Sequence, residues 1–206
     1  MALGAGVLVS SVAFELMDEA YKIGGLDAAA PGLVLGALAF YLADREVNRR
    51  GGERRKTAGD GQGGSGAAIA IGALLDGIPE SAAIGISVIE GNGVGIALVA
   101  AVFLSNVPEG LSSAAGMKRA GRSTAYVIGL WSAVTLASTL AALLGYLFLA
   151  DASGNVVAAI QAFAAGAILT MLASTMMPEA YEEGGPTVGI VTAMGFLFAF
   201  VLSRVA

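Results

Sequence analysis

Two stretches of this chain match without a gap at an offset of 160 residues. AGVLVSSVAFELMDEAYKIGG occupies positions 5–25, and AGAILTMLASTMMPEAYEEGG occupies 165–185. Ala13 meets Ala173, Met17 meets Met177, and Glu19-Ala20-Tyr21 meets Glu179-Ala180-Tyr181. Gly24-Gly25 meets Gly184-Gly185, and Ala39, Phe40 and Leu42 meet Ala199, Phe200 and Leu202 farther on. A segment present twice must fold the same way twice. The chain is therefore limited to architectures with an internal repeat.

Whether those repeats meet water or lipid follows from composition. Charged residues make up 13% of the chain, against about 25% in a soluble domain, and the mean hydropathy is +0.78. About 20 apolar residues cross a hydrocarbon core of roughly 30 Å. Seven such spans are expected, at 3–21, 28–46, 67–89, 93–117, 123–149, 156–181 and 186–205. The 30 glycines suit membrane helices, where small residues let backbones approach. The expected fold is an all-α polytopic helix bundle, a single membrane domain over 1–206. There is no cysteine, hence no disulfide and no thiolate site, and no histidine. A net charge of −5 speaks against nucleic acid as a partner. The first residues lack a basic leader region and belong to the repeat.

Charge orients the spans. Arg45, Arg49, Arg50, Arg54, Arg55 and Lys56 fall in or beside a Gly-rich loop at 47–66, and Lys118, Arg119 and Arg122 between the fourth and fifth spans. Those nine of the eleven basic residues share one side, which the positive-inside rule makes cytoplasmic. The loop at 47–66 reads as flexible. The first copy then runs from inside to outside and the second from outside to inside, an inverted-topology repeat. The third and fourth spans also match each other, DGIPES at 76–81 against SNVPEG at 105–110. They form a central pair. The fifth span lacks a counterpart, which would lie before residue 1, so the repeat implies one N-terminal span missing from this chain.

The central pair carries ionisable groups at membrane depth, where each costs about 2.5–3.5 kcal/mol on insertion scales and marks function. Asp76 and Glu80 are four apart, and Asn106 and Glu109 three apart, so each pair shares a helix face. Ser105 lies beside them. Pro79 and Pro108 precede the glutamates and each frees a carbonyl four residues back, which can line a polar cavity. Three carboxylates, an amide and carbonyl oxygens, with no Lys or Arg in either span, call for a proton or a cation between them. A divalent metal ion fits. Glu15, more than halfway along the first span, is a further candidate ligand. Asp18, Glu19, Glu179, Glu182 and Glu183 lie near helix ends, where solvation explains them.

These motifs resemble those of the ZIP (Zrt/Irt-like) family of divalent metal transporters. DGIPES and SNVPEG carry the resemblance, with AFELMDEAY and STMMPEAY beside them. The resemblance implies that the central pair are helices four and five of eight, holding a metal site inside an inverted repeat. It carries a ligand role to Glu80 and Glu109, and to Asp76 and Asn106. Asp76 stands where the family motif has His, Gly77 where it has Asn, and Ser81 where it has Gly. A site without imidazole is harder than the family norm, which tilts it from Zn²⁺ toward Mn²⁺, Fe²⁺ or Mg²⁺.

The expected function is carriage of divalent cations toward the cytoplasm by alternating access, with the metal as substrate. No enzymatic role is expected. The expected partners are the metal ions and the lipid bilayer of the cell membrane; a homodimer stays open. A proton- or sodium-coupled carrier of a small solute is the alternative, but no buried Arg or Lys would pair a solute anion. An intramembrane aspartyl hydrolase would need a second aspartate at the depth of Asp76, and none is in place. A purely structural subunit would not need matched Pro-Glu motifs.

Overall fold

The computed structural model describes residues 1–47, 49, 66–88, 96–119, 121–149 and 151–205. Most of the basic loop expected at 47–66 lies outside these residues. Among the described residues every regular element is helical, so the chain is an all-α membrane helix bundle.

The first helical run, Ala2–Val47, holds 46 residues. At 1.5 Å per residue that is roughly 69 Å, about twice the hydrocarbon thickness. Gly25 divides it, with φ 61 and ψ −168, a region that only glycine enters without strain. We call residues 2–24 α1 and residues 26–47 α2. The sequence suggests a turn of several residues between them; one residue suffices. The third and fourth helices are α3 (Gly66–Ser87) and α4 (Ile96–Arg119), and α5 is Thr124–Leu149. The helix α6 covers Gly154–Gly184 and α7 covers Thr187–Val205. Gly185, φ 57 and ψ −148, breaks the chain between α6 and α7, as Gly25 does between α1 and α2. Gly25→Ala or Gly185→Ala should each lose about 1–3 kcal/mol to backbone strain, read as a lower unfolding temperature in detergent.

The two copies agree beyond their sequence. Each contains a π-turn at the same place, Val12–Met17 in α1 and Leu172–Met176 in α6. In the first the Asp18 amide bonds to the Ala13 carbonyl; in the second the Met177 amide bonds to that of Leu172. Residues 11–23 and 171–183 match in burial at every position. Val12 and Leu172, Leu16 and Met176, and Ala20 and Ala180 are all buried, while Tyr21 and Tyr181 are both exposed.

Packing follows the same pattern. The largest contacts join α2 to α6, α1 to α7 and α3 to α5, with α1–α4 and α3–α6 next. Exchanging the copies turns α1–α7 into α6–α2 and α1–α4 into α6–α3. Among the described helices α5 alone has no counterpart. The main core gathers Leu8 and Leu16 from α1, Leu98 and Val102 from α4, and Ile168 and Met171 from α6. In lipid such burial gains little from leaving water, so close van der Waals fit holds the helices together. Gly6 and Gly166 are the same repeat position, and each lies hard against a neighbouring backbone. A methyl at Gly6 would fall on the carbonyl oxygen of Thr192, and one at Gly166 on that of Leu33.

Contacts also fix helix direction. Gly77 and Gly85 of α3 meet Ser138 and Ala142 of α5 in rising order, so these two run parallel. Gly4 of α1 lies against the Ser105 backbone of α4.

Candidate functional site

The glutamate of α3 is fully enclosed: Glu80 is 1% exposed. It follows Pro79, and α3 continues through that proline as one helix. Across from it on α4, the Asn106 side-chain nitrogen Nδ2 donates a hydrogen bond to Glu80 Oε2 at 3.0 Å. These two sequence-predicted residues, 26 positions apart, therefore meet. A carboxylate taken out of water costs several kcal/mol unless donors, a proton or a cation compensate it. The amide of Asn106 supplies one donor and leaves its own oxygen as an acceptor beside the carboxylate. Amide oxygen and carboxylate together make a hard, oxygen-only donor set.

The side chains of Asp76 and Glu109, the other two candidates of the central pair, lie outside the described residues, as does that of Pro108. Their backbone is helical, which keeps Asp76 one turn before Glu80 and Glu109 one turn after Asn106. Among the described residues no three acidic, His or Cys side chains converge as a metal cluster. Ser105 turns away from the pair. Its hydroxyl donates to the Val102 carbonyl at 2.9 Å, and its backbone packs on Gly4.

Asn106 is exposed to a cleft of about 490 Å³ between α3, α4 and α5. Gly77 and Ser81 line one wall, Phe103 and Asn106 a second, and Trp131 and Ser138 a third. The missing side chain at Gly77 gives Ser138 room: a Cβ there would lie 3.1 Å from the Ser138 hydroxyl. The α5 wall is not anticipated by the motifs. Its signal is the spacing of Trp131, Thr135 and Ser138, four and three apart on one face of an apolar helix.

Glu15 sits elsewhere, in the π-turn of α1. Its carbonyl accepts from Gln161 Nε2 of α6 at 3.3 Å. Gln161 is buried and is also missed by motif reading; a lone amide in the apolar run VVAAIQAFAAGA was the available signal.

No protein-family model matches the chain. It is similar to a candidate zinc transporter of Arabidopsis thaliana. The two are 27% identical over 189 residues, which covers 90% of this chain and 30% of that protein. The chain thus spans less than a third of the length of this curated relative.

Proposed function

We propose that the chain is a multi-pass carrier of divalent metal cations in the cell membrane, of the ZIP kind, with its cation site on α3 and α4. The observation that carries this reading is the buried Glu80 carboxylate bonded to Asn106 across two membrane-depth helices. The similarity to a candidate zinc transporter over nearly the whole chain supports it. Asp76 and Glu109 would complete the ligand set, one helical turn away on either side. Glu15 lines the same helix group and adds a carboxylate outside the central pair.

The proposed mechanism is alternating access. The repeat supports it: equal π-turns, equal glycine breaks and equal burial in α1 and α6 suit two copies in opposite orientation around the central pair. Ions would move toward the cytoplasm, the side given by the basic loops. An oxygen-only site favours harder ions than an imidazole site.

The test is uptake of Zn²⁺, Mn²⁺, Fe²⁺, Cd²⁺ and Mg²⁺ into proteoliposomes holding the purified chain. Saturable uptake of at least one divalent ion is expected, with Mn²⁺ or Fe²⁺ competing well against Cd²⁺. Absence of uptake for all five would sink the reading. Asn106→Leu removes one donor to a charged group, worth about 1.5–3 kcal/mol, so apparent ion affinity should fall on the order of 10-fold or more. An unchanged ion concentration at half-maximal uptake would remove Asn106 from the site.

A further inference from the structure

Hydroxyls on membrane helices have a ready partner. A serine or threonine can donate to the carbonyl three or four residues back. This chain uses that bond repeatedly: Ser87, Ser105, Thr170, Ser174 and Ser203 all make it, at 2.7–2.9 Å. Ser113 of α4 does not. The residue is 5% exposed, and its buried hydroxyl has no hydrogen-bond partner among the described residues. A buried hydroxyl in this state carries an uncompensated desolvation cost, so its place needs a reason.

The place is on α4, the helix of Asn106. Leu98, Val102, Ser105, Ser113 and Met117 are all buried, and their spacings of three, four and eight mark the interior face of the helix. Position 109 falls on that face, four residues from both Ser105 and Ser113. At 100° per residue, Ser113 stands about 20° from Asn106 around the helix and about 40° from Glu109. It lies seven residues past Asn106, about 10 Å along the axis. The direction is toward Lys118 and Arg119 at the end of α4, the side that the positive-inside rule makes cytoplasmic. The match between DGIPES and SNVPEG puts Ile84 at the equivalent place in α3. Ile84 packs against the main core, so an apolar side chain serves there. The hydroxyl is particular to α4.

We infer that Ser113 is a further cation ligand, the oxygen that receives the ion from the Glu80–Asn106 site on its way to the cytoplasm. The inference rests on the carrier reading above and adds the step that follows loading. A hydroxyl oxygen is a hard donor for a divalent ion. Being neutral, it holds the ion less tightly than a carboxylate does, and passage requires sites weak enough to leave.

The test measures initial uptake against ion concentration in proteoliposomes, with Mn²⁺ and Zn²⁺ as probes. Ser113→Ala keeps the size of the side chain and removes only the oxygen. Its kcat should fall about 5-fold, the scale of one polar contact. Its KM should stay within about 2-fold, because loading at Glu80 and Asn106 is untouched. An unchanged kcat overturns the inference. The unfolding temperature of metal-free Ser113→Ala in detergent should equal or exceed that of the parent chain; a fall shows that the hydroxyl serves packing and overturns the ligand role.

A second measurement needs no transport. The chain has no cysteine, so Ser113→Cys introduces a sole thiol. A charged methanethiosulfonate reagent should label it in detergent. Cd²⁺, a soft ion suited to thiolate, should block that labelling at a concentration roughly 10-fold below the one needed at Ser132→Cys, an exposed position of α5. A thiol that stays unlabelled, or equal Cd²⁺ midpoints at the two positions, overturns the inference. Uptake lost in Glu80→Gln with kcat intact in Ser113→Ala defeats only the present inference. Uptake indifferent to Glu80→Gln defeats the carrier reading, and the thiol still decides Ser113.

Discussion

Glu80→Gln is expected to abolish cation uptake while leaving the bundle assembled. The substitution keeps the shape of the side chain and an acceptor oxygen, and removes the charge. Glu80 is enclosed between α3 and α4, so no water replaces a lost ligand. An ion bound there loses its counter-charge in a medium where charge interactions are poorly screened. Breaking a buried charge pair costs about 3–5 kcal/mol, which is roughly 100-fold to 4,000-fold in affinity. Uptake should fall below detection, and the protein should still elute as a single species in detergent. Asn106 can reorient its amide to suit a neutral partner, so the helix contact survives. Uptake at the wild-type rate in Glu80→Gln would move the cation path away from the central pair.

The largest effect on folding is expected from Gly6→Leu and Gly166→Leu. Each glycine faces the backbone of a neighbouring helix, α7 for Gly6 and α2 for Gly166. Overpacking ordinarily costs about 1–3 kcal/mol, and more where the obstacle cannot move. Here the obstacle is a carbonyl oxygen in the middle of a helix. Both variants should lose most of their monodisperse protein in size-exclusion chromatography. Gly189→Leu is the matched control, since a Cβ at Gly189 meets nothing within 4 Å. Equal recovery of Gly6→Leu and Gly189→Leu would contradict the packing of α1 on α7.

Much of this was legible in the residues. Apolar length alone places the spans, because the bilayer sets one thickness for all of them. Helical spacing places Glu80 and Asn106 on faces that meet, because two polar side chains at membrane depth seek each other. The π-turns were not legible: one wider turn adds no residue type to the pattern, and apolar periodicity over five or six residues cannot register it. The separation of Ser105 from Asn106 was not legible either. Neighbours in a motif lie about 100° apart around a helix, so one reaches Glu80 and the other the α1 backbone. Glu15 shows the same limit. Its place in the chain suggests a ligand, and the bond its carbonyl accepts from Gln161 depends on how α1 packs on α6, which no local pattern encodes.

The matched glycine breaks and π-turns bear on energy as well as shape. On the proposed topology, the form open to one face and the form open to the other can be a single design read in two directions, with α1 and α6 trading places. Such a molecule starts with two conformations of nearly equal free energy and needs no separate adjustment to balance them. The balance is then set by the positions where the copies differ. Glu15 against Thr175 is one of these. A change there would act on which way the protein rests when nothing is bound.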